Sequence, residues 1–295
     1  MAPSEIPLQP LIRRGAHAAT PQRRIVLGQR WRRGVTAVIG FIARCRQPLV
    51  AHCSMRILQF FAGDLRLHEA QRQRFESLQD CFTRELTPGA RPLDQGPGVL
   101  VSPCDGEVMA CGAITEGRLI QAKGLSYRLS ELLGDAALAG RYRGGVFATL
   151  RLRPNMYHRF HAPDGGAIDE IRHIGGDVHN VHPRNVRRLP RLYCRNTRAV
   201  LPLAVDGLAA PLLLVPVAAV GVASLRVHGI SEILAGHEPM GRRLPCRRRV
   251  ARGDELGYFL QGSTMVVVAP PGLETAPDVA AGTTQRVGTA LLAHC

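Results

Sequence analysis

The chain changes character at about residue 98, and this change limits the folds that it can adopt. Beyond it, short runs of β-branched and other apolar residues are separated by glycine, proline and aspartate, a pattern typical of short strands and tight turns. The sequence therefore predicts a compact β-rich domain with few long helices. Its clearest predicted strands are Gly98–Ser102, Gly106–Met109, Gly145–Leu150, Leu212–Val217 and Met265–Ala269.

A helix is predicted before this β-rich part, from Leu65 to Leu86. The segment is rich in Glu, Gln, Arg and Leu and is followed by Pro88-Gly89, which stops a helix. With further helices in the first 64 residues, the prediction is an α+β fold in which N-terminal helices precede the β-rich domain. We divide the chain into a basic N-terminal arm, residues 1–64, and a main domain, residues 65–295.

The N-terminal arm has an unusual charge pattern. Between Ile6 and Gly63 there are ten arginines and no acidic residue, and apolar clusters lie among them at Val35–Ala43 and Ile57–Phe61. Such a sequence suits amphipathic helices in the headgroup layer of an anionic membrane, where each Arg contributes roughly 1 kcal/mol. A nucleic-acid-binding arm, a mitochondrial targeting sequence, or helices packed on the main domain with solvated arginines are the alternatives.

The formal net charge of the whole chain is +15, which favours a polyanionic partner, either nucleic acid or an anionic lipid surface. Lys123 is the only lysine, and this bias toward arginine weakens the inference. Aromatic residues make up only 5% of the chain and no nucleic-acid-binding module is recognisable, so a nucleic-acid-binding protein is the less favoured class. The most apolar segment, Pro211–Val227, is interrupted by Arg226 and predicts a buried strand pair rather than a membrane span.

Cysteine usage argues against a disulfide framework. The eight cysteines form no C-x-x-C pair and have no regular spacing, which suits a reducing compartment, and we find no signal peptide. A metal site built from His173, His179, His182 and Cys194 is an alternative, but its spacing matches no standard ligand signature. We therefore predict no metal.

Four local patterns carry candidate functional residues, and each is weak alone because it has an ordinary structural explanation. Asp-Gly is a common turn, a helix must stop somewhere, and a lone histidine is usually just a hydrogen-bonded polar residue. Two histidines three residues apart, beside Tyr and Arg, are harder to explain in this way. The patterns are Ser102–Gly106 with Asp105, Tyr157–Pro163 with His158 and His161, Gly262–Thr264 with Ser263, and Phe82–Pro92.

Taken together and in order, these patterns resemble the phosphatidylserine decarboxylase family over about Phe75 to Ala269. The family's Ser-Pro-x-Asp-Gly turn is similar to Ser102–Gly106, and its Tyr-His-Arg-x-His-x-Pro segment matches Tyr157–Pro163. Its Gly-Asp-Leu-Phe-Ser-Val-Asn stretch is similar to Gly176–His182, and its Gly-Asp-Glu-Leu-Gly-Tyr-Phe lead into Gly-Ser-Thr is matched by Gly253–Phe259.

The chain departs from the family pattern at several positions. Thr197 stands where the family has Glu, Gln261 where Leu or Gly is typical, and His179 and His182 replace an aromatic residue and an amide. None of these is a residue to which the resemblance assigns catalysis, so the departures bear on substrate preference.

The resemblance implies a self-cleaving, pyruvoyl-dependent carboxy-lyase that converts phosphatidylserine to phosphatidylethanolamine and CO2. Ser263 would attack the carbonyl of Gly262 and, after β-elimination and hydrolysis, become a pyruvoyl group that forms a Schiff base with the substrate amine. Cleavage would leave a β chain, residues 1–262, and an α chain, residues 263–295, associated as a heterodimer. The same chemistry on another serine-headed lipid or a free aromatic amino acid is the alternative.

The resemblance also suggests how the serine is activated. A serine hydroxyl is a weak nucleophile that needs a base oriented by a third group. We therefore predict a triad of Asp105, His161 and Ser263, with His158 protonating the carbanion left by CO2. Gly262, which has no Cβ, tolerates the strained backbone that an N-to-O acyl shift requires. The expected location is the cytoplasmic face of a bacterial membrane, as a peripheral protein, with the mitochondrial inner membrane as the alternative.

Overall fold

The computed structural model of the chain describes residues 34–35, 37–120, 126–219, 224–231, 233–235, 241–260 and 263–295. Most of the predicted basic arm, residues 1–33, lies outside the described residues. Gln261 and Gly262, the residues that precede Ser263, also lie outside them.

Two helices open the described chain, α1 over residues 37–44 and α2 over Pro48–Ala62. The side chain of Gln47 accepts a hydrogen bond from the backbone N–H of Val50 at 3.0 Å, which caps the start of α2. The helix ends at Gly63, whose φ of 82° is strained for any residue with a side chain. The predicted N-terminal helices are therefore present over these residues.

The helices that follow are all short, and they connect or flank strands. They are a 3-10 turn at Leu67–Glu69, α3 (Leu78–Phe82), α4 (Leu129–Leu133), α5 (Ala136–Gly140), α6 (Pro183–Arg188) and α7 (Leu192–Arg195).

Strands account for most of the regular structure of the main domain. In chain order they are β1 (Val99–Val101), β2 (Gly106–Ala113), β3 (Arg118–Ile120), β4 (Ser126–Arg128), β5 (Val146–Leu152), β6 (Arg159–His161), β7 (Gly166–Ile174), β8 (Arg198–Leu203), β9 (Leu212–Ala218), β10 (Ser224–Val227), β11 (Ile233–Ala235), β12 (Arg242–Val250), β13 (Glu255–Phe259), β14 (Ser263–Ala269), β15 (Leu273–Thr275), β16 (Thr284–Gln285) and β17 (Ala290–His294).

The largest sheet has eight antiparallel strands in the order β12-β7-β8-β9-β14-β5-β2-β16. A second sheet has the order β11-β10-β13-β6, and a third has the order β1-β17-β15. β14 lies inside the largest sheet, with Ser263 opposite Leu152 on β5 and opposite Ala218 on β9. Its ladder hydrogen bonds are therefore made on both edges.

The largest sheet is buried on both faces, and the alternation along β14 shows how. Met265, Val267 and Ala269 belong to one hydrophobic cluster, whereas Val266 and Val268 belong to the cluster on the other side. Because successive side chains of a strand point to opposite faces, a strand between two cores must be apolar at every position. The continuous apolar run of Met265–Ala269 is explained by this position.

The structure confirms the α+β prediction, with N-terminal helices before a β-rich domain. Each of the five predicted strands is present, as β1, β2, β5, β9 and β14. The two buried strands predicted within Pro211–Val227 are present as β9 and β10, but their pairing with each other is wrong, because β9 pairs with β8 and β14 in the largest sheet. β10 pairs with β11 and β13 in the second sheet.

The predicted helix from Leu65 to Leu86 is also wrong. The segment folds back on itself, since Ala70 forms an antiparallel bridge with Leu86 and the N–H of Gln71 donates to the carbonyl of Glu85 at 2.9 Å. Ser77 caps the five-residue helix α3, which is the only α-helical part of the segment. Favourable helix propensity is overridden here by tertiary contacts, which a weak intrinsic preference cannot resist.

Candidate active site

Ser263 is the first residue of β14 and is only 1% exposed. Its Oγ atom has no hydrogen-bond partner among the described residues. A buried hydroxyl without a partner costs free energy and is uncommon in folded proteins, so it calls for a functional explanation. The predicted scissile bond is described only on this side, because Gly262 lies outside the described residues.

The segment that carries His158 begins beside Ser263, because Ser263 pairs with Leu152, the last residue of β5. Residues 153–158 lead from there to β6. The N–H of Phe259, the last residue of β13, donates to the carbonyl of His158 at 2.9 Å. Four residue steps from Phe259 to Ser263 span at most about 14 Å. His158 and Ser263 therefore lie at the same corner, where β6 and β13 of the second sheet approach the start of β14 in the largest sheet.

His158 is fully buried. Its Nδ1 lies 2.8 Å from the carbonyl oxygen of Met156, and because a carbonyl can only accept, Nδ1 carries the hydrogen. The remaining ring nitrogen, Nε2, has a free lone pair and no partner among the described residues. Burial, reinforced by the charge of Arg84, lowers the pKa of His158 to about 3. A neutral His158 must take up a proton at Nε2 before it can give one to a carbanion.

His161 ends β6 and is partly buried. Its Nδ1 lies 2.8 Å from the carbonyl oxygen of Gly253, so Nδ1 carries the hydrogen and Nε2 is the basic atom. The hydroxyl of Tyr157 donates to Nε2 at 3.0 Å, and the two rings stack. Burial lowers the pKa of His161, although the hydrogen bond to Gly253 and nearby carboxylates oppose the shift. The basic nitrogen of His161 is therefore the one that accepts the hydrogen bond of Tyr157.

Asp105 is 4% exposed and is held by Arg91. Arg91 donates from Nε to Oδ1 at 3.0 Å and from Nη2 to Oδ2 at 2.7 Å, while the N–H of Val287 donates to Oδ1 at 2.9 Å. Arg91 also contacts Glu69 at 2.7 Å. Burial disfavours the charge of Arg91, but its hydrogen bonds to the two carboxylates raise its pKa overall.

No hydrogen bond joins Asp105 to His161 in the described part of the chain. The two are linked instead through the backbone, since the N–H of His161 donates to the carbonyl of Pro103 at 2.7 Å. Without a direct hydrogen bond, the negative charge of Asp105 still favours the protonated form of the His161 imidazole. The orienting hydrogen bond that a triad gives to its histidine comes here from the backbone of Gly253.

Asp105 directly precedes β2, which pairs with β5 on the edge opposite to β14, whereas His158 and His161 lie just before and at the end of β6. Sequence reasoning did not assign roles to Arg91 and Tyr157, although both lie inside the motifs that drew attention. The contact with the Gly253 carbonyl has no sequence signal, because any residue type has a carbonyl group. Roles for these side chains in a reaction stay predictions.

The alternative metal site has no support from the geometry of the described residues. Among them, no group of three or more His, Cys, Asp or Glu side chains is arranged to hold a metal ion. His173 is buried in β7, whereas His179 contacts the carboxylate of Asp177 at 3.2 Å.

The N-terminal helices leave large apolar side chains in solvent. Phe60 is 84% exposed and Phe61 is 81% exposed, both near the end of α2. Other exposed apolar side chains of the same two helices are Val38, Ile39, Phe41, Ile42, Leu49 and Ile57. Within the described residues, no helix is both long enough and apolar enough to span a bilayer.

With this fold and corner in view, comparison with known proteins identifies the class. Residues 78–293 match the family model described as phosphatidylserine decarboxylase. The match covers more than half of the chain, so the chain belongs to the phosphatidylserine decarboxylase family. The prediction of a carboxy-lyase of this family is confirmed.

Individual relatives agree with this class. A protein of Ectopseudomonas mendocina is 35% identical over 274 residues, which cover 87% of this chain and 92% of the relative. One of Pseudomonas aeruginosa is 37% identical over 253 residues, covering 80% and 84%. One of Xylella fastidiosa strain M23 is 35% identical over 270 residues, covering 88% and 90%. Each of the three is named phosphatidylserine decarboxylase proenzyme.

Proposed function

We propose that this chain is a proenzyme that cleaves itself between Gly262 and Ser263 and then decarboxylates phosphatidylserine to phosphatidylethanolamine. The observation that carries the proposal is the buried Oγ of Ser263 at the start of β14, which has no hydrogen-bond partner among the described residues. The proenzyme names of the relatives support a precursor that is cut.

The cleavage is written with the chain's own atoms. Ser263 loses its hydroxyl proton to a base and attacks the carbonyl carbon of Gly262, so that a peptide bond breaks and an ester bond forms. Loss of the Cα proton of residue 263 then expels the Gly262 carboxylate, and the resulting enamine takes up water and releases ammonia. A pyruvoyl group remains at position 263, at the start of a chain that ends at Cys295.

His161 is the proposed base. Its Nδ1–H is committed to the carbonyl of Gly253, so the lone pair on Nε2 is the one that can accept the proton. The hydroxyl of Tyr157 now occupies that lone pair and has to turn away, or pass the proton on, when the serine reacts. The buried charge of Asp105 stabilises the imidazolium that forms.

A pyruvoyl group fits position 263. The side chain there is buried, its Oγ has no partner in the part of the chain that the structure describes, and the strand that begins at Ser263 is paired on both edges, so the new end stays in place after cleavage. The carbonyl of the group supplies the electron sink that decarboxylation of an amino acid requires. His158, whose buried Nε2 also has no partner there, is the proposed carrier of the proton that replaces CO2.

The two products of cleavage are proposed to remain together as a heterodimer. The short chain contributes β14 to the largest sheet and β17 to the third sheet, where β17 pairs with β1 of the long chain. Separating the chains would expose the buried residues of β14 to water, which is strongly unfavourable.

The basic arm, residues 1–64, is proposed to hold the decarboxylase domain, residues 65–295, on an anionic membrane. The exposed apolar residues of α1 and α2 form a patch of the kind that marks interaction surfaces, and arginines lie among them. The corresponding location is the cytoplasmic face of a bacterial membrane, and the bacterial origin of the relatives favours a bacterial over a mitochondrial membrane.

Intact-mass analysis tests the self-cleavage. We expect the purified wild-type protein to give two chains, residues 1–262 and 263–295 with a pyruvoyl end, whereas Ser263→Ala stays whole and inactive. Ser54→Ala, which removes a hydroxyl of α2 that donates to the carbonyl of Ala51, should cleave as wild type does. A single uncut wild-type chain would sink the proposal. Phosphatidylserine is compared with free aromatic amino acids as the source of CO2, so that the substrate is tested separately.

A further inference from the structure

A small polar cavity of about 230 Å³ lies beside the proposed active site. Guanidinium groups dominate its wall, and only two carboxylates, those of Glu69 and Asp105, line it with them. Five positive charges against two negative ones make the cavity a strong attractor of anions. The arginines are Arg66, Arg84, Arg91, Arg153 and Arg286.

Most of this positive charge is not neutralised within the described residues. Arg91 alone contacts both Glu69 and Asp105 closely, at 2.7 Å each. Arg286 lies 3.9 Å from Glu69 and is exposed. Arg66 and Arg153 are exposed and have no carboxylate within ion-pair distance in the described part of the chain. Three cations are thus available to a ligand at the rim.

The cavity is also lined by a buried cation that has no carboxylate within ion-pair distance among the described residues. Arg84 is 5% exposed, and its guanidinium donates to the backbone carbonyls of Cys81, Leu65 and Met156. Its Nε has no partner among the described residues. Burying a charge without a counter-charge is costly, so a site that receives an anion explains its presence.

The cavity adjoins both histidines of the proposed reaction. Met156 and Tyr157 line it, and they are the residues whose backbone carbonyl and hydroxyl contact His158 and His161. An anion held there would therefore lie next to the residues that contact both histidines.

A second, larger cleft lies on the other side of one chain segment. Leu65 and Leu67 line a mainly apolar space of about 740 Å³ beneath α2, together with Met55 and Phe75, whereas Arg66 between them lines the arginine cavity. The arginine cavity and the apolar space are therefore lined by neighbouring residues of one chain segment.

We propose that the arginine cavity binds the phosphate of the substrate's head group, an inference that rests on the proposed function. The cavity is smaller than the spaces of about 300–1,000 Å³ that hold drug-sized ligands, which suits a head group and excludes acyl chains. The phosphate is the fitting anion because its charge persists through the reaction. Arginines bound to the carboxylate would stabilise the ground state of a group that must lose its charge, which slows decarboxylation.

The kinetic test replaces the three rim residues together, as Arg66→Gln/Arg153→Gln/Arg286→Gln. The control is Arg128→Gln/Arg141→Gln/Arg143→Gln, which removes the same charge from exposed positions near the opposite end of β5. With phosphatidylserine in mixed micelles, KM measured on the cleaved fraction should rise about tenfold or more in the rim variant only. An equal rise in both variants, or no rise in either, would overturn the proposal.

The binding test does not depend on activity. Calorimetric titration uses Ser263→Ala protein, with and without the rim substitutions, and glycerophosphoserine as a head group without acyl chains. Binding that weakens about tenfold with the rim substitutions supports the head-group site. No binding overturns it, and inorganic phosphate that binds as tightly as glycerophosphoserine shows a site for free phosphate instead. If the wild-type protein fails to cleave, the proposed function is wrong, but the titration of the Ser263→Ala protein still tests head-group binding.

Discussion

The N-terminal helices α1 and α2 and the strand β14 are all rich in apolar residues, but these residues are exposed in the helices and buried in the strand. All seven residues of β14 are buried, whereas Ala51 is the one buried residue among the fifteen of α2. The apolar side chains of the strand pack in the hydrophobic core of this chain. Those of the helix face solvent at Phe60 and Phe61 and are left for another surface. The difference separates a region that holds the fold together from one that can bind a membrane.

The largest effect that tests this comparison is on stability. Leu214→Ala in β9, where the side chain is fully buried, should lower the free energy of unfolding by about 2–5 kcal/mol, because it leaves a cavity in the core. Phe60→Ala in α2 should change it by less than about 0.5 kcal/mol, since its side chain is mostly in water. Urea denaturation in a Ser263→Ala background measures both on a single uncut chain. Equal losses would mean that α2 is part of the core.

A somewhat smaller effect concerns membrane binding. Phe60→Ser should weaken sedimentation with vesicles that contain anionic lipid by about tenfold or more, because transfer of a Phe side chain from water contributes about 1.5–3 kcal/mol. Ile120→Ser, an exposed apolar position on β3 far along the chain from α2, is the matched control and should bind like wild type. Wild-type protein that ignores anionic vesicles would remove the membrane role from the helices altogether.

The smallest effect is a pH dependence of the buried region. The pKa of His158 is lowered from 6.5 to about 3 in the folded chain, so below pH 6.5 the unfolded state binds a proton that the folded state does not. The unfolding free energy should therefore fall with decreasing pH from about 6.5, by up to about 1.4 kcal/mol per pH unit from this group.

Urea midpoints measured between pH 7 and pH 5 check this sign. His158→Gln should flatten the slope, whereas His68→Gln, on the exposed 3-10 turn before α3, should leave it unchanged. A slope that is the same with and without His158 would show that its ring is not buried neutral.

Strands were more predictable from the sequence than helices, for a local reason. The runs that became β5, β9 and β14 are β-branched or apolar at nearly every position and are bounded by turn residues, so the pattern itself carries the assignment. The predicted helix over Leu65–Leu86 failed because Arg84 reaches back to the carbonyl of Leu65 and across to that of Met156. Contacts between residues so far apart leave no periodic mark in the sequence.

The active-site corner shows the same division. The sequence motifs identify the candidate functional residues, which are Asp105, His158, His161 and Ser263. The motifs do not identify their partners, because Arg91 and the Gly253 carbonyl meet Asp105 and His161 only through the packing of separate segments.

What the sequence determined by itself was the β-rich architecture, the family, and the identity of the residues worth testing at the start of β14. Local alternation and motif order are properties of the amino-acid sequence, so they can be recognised before the fold is known. Only the tertiary structure decided that the buried hydroxyl of Ser263 has no partner among the described residues, that Arg91 rather than His161 holds Asp105, and that five arginines line one cavity. These three features depend on which distant segments pack together and exclude water. The burial of polar and charged side chains is therefore a property of the folded molecule and not of the sequence pattern.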